Sequence, residues 1–133
     1  MPDQGFHIIL VDDNDIDLIV NKRLLELANI GMDITCFSSC REVLLFFENN
    51  REELTNRKNI LLLDIQMPGK SGFECLDSFA EYPDDFKSSF SVFMLSSSID
   101  RSDIKKAEGN KYVQKVLEKP LDVYKLKQTL SQR

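Results

Sequence analysis

Short apolar runs alternate along the whole chain with segments whose apolar residues recur every three to four positions, the signature of strands interleaved with helices. His7 to Val11 (HIILV) is a continuous, largely β-branched run that stops at Asp12, Asp13 and Asn14, as expected of a strand buried on both faces of a parallel sheet. From Asp15 to about Asn29 the apolar residues Ile16, Val20, Leu24 and Leu27 keep a helical period, with Asp15 as the expected cap and Gly31 as the stop. Ile34 to Phe37 reads as a weaker second strand. Ser38 or Ser39 can then cap a helix through about Asn49, whose inner face of Val43, Leu44, Phe46 and Phe47 is broad, and 50–59 reads as a charged loop or helix extension. Asn59 to Asp64 (NILLLD) is the clearest buried strand, followed by the turn IQMPGKSG and a short helix over Phe73 to Ala80 that Pro83 ends. Phe90 to Leu95 (FSVFML) is a fourth strand running into Ser96, Ser97 and Ser98. Asp100 or Ser102 caps a helix over Asp103 to Glu108, Tyr112 to Leu117 is a fifth strand, and Asp122 caps a last helix with Val123, Leu126 and Leu130 on one side. Parallel strands need crossovers, and right-handed crossovers put helices on both faces. The pattern therefore predicts an α/β fold, (βα)5, with a doubly wound parallel sheet of five strands. In such sheets the ligand crevice lies outside the carboxyl ends of the strands.

Composition narrows the picture. The chain has 133 residues, of which 42% are apolar and 29% charged, enough for one core beneath a solvated surface, so a single domain over residues 1–133 is expected. Its 17 basic and 22 acidic side chains leave a net charge of −5, which disfavours nucleic acid and anionic membrane surfaces as partners. No apolar run approaches the ~20 residues that span a bilayer, and no leader pattern opens the chain, so a cytoplasmic protein is expected. The cysteines Cys36, Cys40 and Cys75 are odd in number and lack CxxC pairs; their spacing reads as reduced, half-buried packing residues.

The strand ends carry the chemistry. Asp12 and Asp13, Asp64, Ser96 and Lys119 stand just past strands one, three, four and five, which would gather three carboxylates, a hydroxyl and an ammonium on one edge. Crowded carboxylates repel unless a cation joins them, and hard oxygen ligands suit Mg²⁺. With a divalent cation to orient phosphoryl oxygens, an ionised aspartate can attack phosphorus and form an acyl phosphate. Lys119 and Ser96 would contact the phosphoryl oxygens from other sides.

The motifs LVDDND, LLLDIQMPGKSG, FMLSSS and VLEKP, in that order and over nearly the whole chain, resemble the receiver domain of two-component response regulators. The resemblance implies the flavodoxin-like strand order 2-1-3-4-5. It also implies that Asp64 is the phosphoacceptor, that Asp13 is a direct Mg²⁺ ligand with Asp12 acting mainly through metal-bound water, and that the Gln66 backbone carbonyl is a further ligand. Ser96 is similar to the switch hydroxyl and Lys119 to the phosphoryl-contacting lysine, with a cis bond before Pro120. Gln66 and Ser98 are similar in position to the rim residues that tune dephosphorylation in that family. The implied partners are a sensor histidine kinase or a histidine phosphotransfer protein and an unknown downstream protein that reads the surface around 97–110 and 112–117; a phosphorylation-dependent dimer is left open. The protein would promote its own phosphorylation and dephosphorylation without being an enzyme in the ordinary sense. Only 13 residues follow Pro120, so no output domain is expected. One departure stands out: the aromatic three positions before the lysine is Val116, and Tyr112, seven positions before it, is the nearest substitute.

Two other function classes compete. A phosphorylation-independent receiver-like interaction module is supported by Val116 and opposed by the intact Asp12, Asp13, Asp64, Ser96 and Lys119. A Mg²⁺-dependent phosphatase or phosphotransferase of small molecules would need a DxDx(T/V) motif, and IQMPG follows Asp64 instead. Gly69 and Gly72 are expected to permit positive φ in that turn, and His7, at the start of the first strand, is expected to lie away from the crevice.

Overall fold

The computed structural model describes residues 6–30, 33–67, 71–96 and 101–131. In chain order the elements are β1 (Phe6–Val11), α1 (Asp15–Leu27), β2 (Asp33–Phe37), α2 (Cys40–Asn49), α3 (Arg51–Thr55), β3 (Lys58–Asp64), α4 (Gly72–Phe79), α5 (Asp84–Ser88), β4 (Phe90–Ser96), α6 (Arg101–Glu108), β5 (Val113–Glu118) and α7 (Val123–Ser131). The five strands form one parallel sheet in the order β2-β1-β3-β4-β5, with Val11 beside Leu63 and Asp64 beside Leu95 in register. This is the flavodoxin-like order expected. Successive residues of each strand face opposite sides, so one sheet builds two cores. Ile8, Leu10, Ile60, Leu62, Phe93 and Leu95 meet Leu25 of α1 and Leu126 of α7. On the opposite face, Ile9, Val11, Leu61, Leu63, Val92 and Met94 pack with residues of α2 to α6. No helix among the described residues is long and apolar enough to cross a membrane.

Several boundaries differ from the sequence reading for identifiable reasons. Asn14, not Asp15, caps α1: its side-chain oxygen accepts from the Asp17 amide at 3.0 Å, and Asp15 stands in the first turn, where its charge suits the helix dipole. Asn29 adopts a left-handed φ of 57°, and Ile30 N donates to Leu25 O, ending α1 before Gly31, which lies outside the described residues. The charged stretch after Asn49 does contain a helical extension, α3. The helix α5 was not anticipated; five residues with Phe86 as the buried anchor are too short for a visible period. Helix α6 begins at Arg101, which puts Ser102 inside it and not at its cap, while Asp100 lies outside the described residues. Asp122 does cap α7, accepting from the amides of Tyr124 and Lys125 at 3.1 Å each.

The expectation of three reduced cysteines fails for two of them. Cys40 opens α2 and Cys75 lies in the first turns of α4; the packing of these helices brings their Cα atoms to 5.7 Å, and the sulfurs are joined as a disulfide. Their separation of 35 residues gave no sign of this contact. Cys36 is free and half-buried on the other face. The Lys119–Pro120 bond is cis, as the resemblance implies.

Candidate functional site

Each strand of the crevice delivers its polar residue by ending. Asp12 follows β1, is fully buried, and is fixed by its amide to Phe37 O at 3.1 Å and by its Oδ1, which accepts from Asn14 N at 2.9 Å. Asp13 is exposed beside it. Asp64 ends β3, buried, with Oδ1 accepting from Gln66 N at 3.3 Å. Ser96 ends β4, buried, one residue past the partner of Asp64. Its carbonyl accepts from Lys119 N at 2.9 Å, which carries the register of β4 and β5 into the placement of the lysine.

Lys119 crosses the crevice. Its Nζ lies 2.7 Å from Asp12 Oδ2, 3.1 Å from Asp17 Oδ2 and 3.2 Å from Asp64 Oδ2, with the side chain 8% exposed. Burial and the neighbouring Asp12 charge push the Asp64 carboxyl up to about 7, with Lys119 opposing them. Burial pulls the Lys119 ammonium down, but its hydrogen bonds to Asp12 and Asp17 and the Asp64 charge outweigh this and hold it above the ordinary lysine range. Asp12, Asp13 and Asp64 present carboxylate oxygens that all lie within 4.8 Å of one another. Three hard oxygen donors this close, one of them open to water, fit a small divalent cation that keeps part of its hydration.

The start of α4 lies against the end of β3. Gly72 N donates to Ile65 O at 2.9 Å, and a Cβ on Gly72 would run into the Asp64 carbonyl oxygen and lie 2.8 Å from Met94 Cε. Gly72 is therefore required by close approach and not by positive φ, as its position in the turn had suggested. Gly69 and Ser98 lie outside the described residues. Gln66 sends its side-chain amide to Asp103 Oδ2 at 3.1 Å, linking the rim of the crevice to α6.

Five of the sequence-predicted residues, Asp12, Asp13, Asp64, Ser96 and Lys119, stand at the carboxyl edge together with Gln66. Tyr112 does not join them. It precedes the opposite end of β5, where its hydroxyl accepts from Lys87 Nζ at 3.1 Å and its ring meets Phe79 edge-on at 5.8 Å. Val116 is half-buried in mid-strand beside Met94. His7 is buried and its Nε2 pairs with Thr35 Oγ1 at 2.9 Å, away from the crevice. Asp17 and Asp103 were missed; the only sequence signal for Asp17 is its place in the first turn after the aspartate pair.

A crystal structure of a response regulator receiver protein from Dyadobacter fermentans is 29% identical, with a TM-score of 0.85 over 96% of this chain and 97% of that one. A two-component response regulator from Cytophaga hutchinsonii is 26% identical, with a TM-score of 0.87 over 97% and 96%. A receiver domain protein from Methanospirillum hungatei, at 21% identity and a TM-score of 0.66 over 95% and 93%, shares the fold. The family model for the response regulator receiver domain matches residues 8–131. With that match over the sheet, all but the first residues of β1 and every strand end that lines the crevice, the chain belongs to the response regulator receiver domain family.

Proposed function

We propose that this receiver is a cytoplasmic two-component switch, phosphorylated on Asp64 in a Mg²⁺-dependent transfer from a phosphohistidine on a sensor kinase or phosphotransfer protein. The observation that carries the reading is the Lys119 ammonium held between Asp12 and Asp64 at the sheet edge. Asp12, Asp13, Asp64 and the Gln66 carbonyl would hold Mg²⁺, which when bound neutralises phosphoryl oxygens and lowers the proton affinity of Asp64. Asp64 attacks phosphorus with one carboxylate oxygen; the bond from phosphorus to the donor nitrogen breaks, and the histidine leaves with the electron pair. Lys119 moves from carboxylate to phosphoryl oxygen, and the Ser96 hydroxyl donates to a second one, stabilising charge that grows as the transfer proceeds. The same groups then serve hydrolysis of the acyl phosphate by water, with Gln66 at the rim.

Helix α1 supports a donor docking beside this site. Ile16, Ile19 and Leu27 are 71%, 69% and 65% exposed, an apolar face that begins three residues after Asp13. On the other side, the bond from Gln66 to Asp103 gives α6 a direct mechanical connection to the loop after Asp64, which suits α6 and β5 as the surface that a downstream protein reads.

Intact mass after incubation with acetyl phosphate and Mg²⁺ tests the reading. Wild type is expected to gain the mass of one phosphoryl group, and Asp64→Asn, or wild type in EDTA, to gain none. Absence of the gain in wild type, together with no binding of beryllofluoride, would overturn it in favour of a phosphorylation-independent module.

A further inference from the structure

Lys119 is held by more than the two aspartates of the sheet edge. Asp17, on the first turn of α1, takes the same Nζ at 3.1 Å, and one turn further along, the buried Asn21 accepts the Leu121 amide at 3.0 Å through Oδ1. Two side chains spaced by four residues on one helix face thus clamp the segment 119–121, one by its charge and one by its backbone. Asp17 is 36% exposed, so it is not a core carboxylate forced into this contact by burial.

The arrangement matters because the resting lysine already neutralises two of the three carboxylates that would hold a divalent cation. An ammonium on Asp12 Oδ2 and Asp64 Oδ2 competes with the cation for those charges, and once the cation is there, like charges repel across the crevice. Asp17 offers the ammonium a counter-ion that is not part of the acidic trio.

We infer that Asp17 is a positioning residue for phosphotransfer: its carboxylate is the alternate seat that retains Lys119 at the crevice while Asp12 and Asp64 are given over to a divalent cation. The inference rests on the metal-dependent reading above and adds the helix face that makes cation and lysine compatible. Asn21 fixes the backbone from which the lysine swings, and Asp17 limits where it swings to.

Calorimetric titration with Mg²⁺ tests this without reference to turnover. Asp17→Asn is expected to weaken Mg²⁺ binding about fivefold to tenfold, because the whole ammonium charge then falls on Asp12 and Asp64. Asp15→Asn removes the same charge from an exposed site on the same turn that does not touch Lys119, and is expected to change the affinity less than about twofold. Asp17→Glu keeps the carboxylate and is expected to restore most of the affinity. With Lys119→Met as background, Asp17→Asn is expected to have no more effect than Asp15→Asn, the interaction being between the two residues. For phosphorylation by acetyl phosphate, the Asp17→Asn loss is expected in the Mg²⁺ concentration required and not in the rate at saturating Mg²⁺. Equal weakening by Asp17→Asn and Asp15→Asn, or an undiminished Asp17→Asn effect without Lys119, overturns the inference while leaving the metal-dependent reading intact. Failure of wild type to bind Mg²⁺ overturns both.

Discussion

Asp64 carries two opposing demands. As the proposed nucleophile it would have to be ionised, yet burial and the charge of Asp12 raise its proton affinity until it titrates at about 7. The unfolded chain loses that proton near the ordinary value of 3.8. Between the two values the folded protein holds a proton that the unfolded chain has released, so stability falls as pH rises. Its contribution is therefore complete below about 3.8 and lost through about 7. In EDTA, urea unfolding across this range should give a wild-type stability that declines relative to Asp64→Asn; parallel curves would count against the shift. The gathering of Asp12, Asp13, Asp64, Ser96 and Lys119 at one edge was legible because each stands at the end of an apolar strand, and a parallel sheet places all such ends on one side. Asp17 was not legible. It is 102 residues from Lys119 and sits on a helix, where the apolar period says which residues face inward but not which polar residue reaches a distant lysine.

Among the elements, α4 is joined to the site through its first residue. It is started by a capping box, in which Ser71 Oγ accepts from Glu74 N at 3.3 Å and Glu74 Oε1 accepts from Ser71 N at 2.9 Å, immediately before Gly72 seats its backbone against Asp64. At the end of the strand it is the backbone of the helix start that makes the approach. Gly72→Ala should therefore cost about 1–3 kcal/mol and move the Asp64 carbonyl, since the new methyl meets backbone that cannot rotate away. Thermal unfolding would read the first effect, and loss of beryllofluoride affinity the second; a neutral alanine would show that the loop has room to move. Sequence placed this glycine in the right turn for the wrong reason, because a Pro and Gly rich stretch advertises positive φ but not the distance between a helix and a carbonyl. It likewise missed α5, whose one buried anchor, Phe86, reports no periodicity.

At the scale of the molecule, the two helical layers reach the crevice by different routes. Helix α1, from one layer, supplies Asp17 to Lys119, while α4 and α6, from the other, meet Asp64 and Gln66. The site is thus the seam where both faces of the sheet are joined by polar contacts. The disulfide Cys40–Cys75 belongs to the second layer alone, where it ties α2 to α4 and where both residues are 2% exposed. Closing a loop between residues 35 apart in sequence is worth on the order of 3–4 kcal/mol. The chain denatured without reductant should take up one alkylating group, and after reduction three; three in both cases would mean that the helices are held by packing only.

That pairing leaves Cys36 as the free thiol, on β2 in the layer that Leu24 and Ala28 of the α1 segment flank. Burial raises its pKa, with Lys22 opposing, so the thiolate is scarce at neutral pH and its labelling by a maleimide quickens as the solution is made more alkaline. The unmutated chain consequently carries its own attachment point for a spectroscopic probe. A fluorophore or spin label placed there would sit beneath the helix proposed as the donor's landing place, and would report that arrival from the protein's own side.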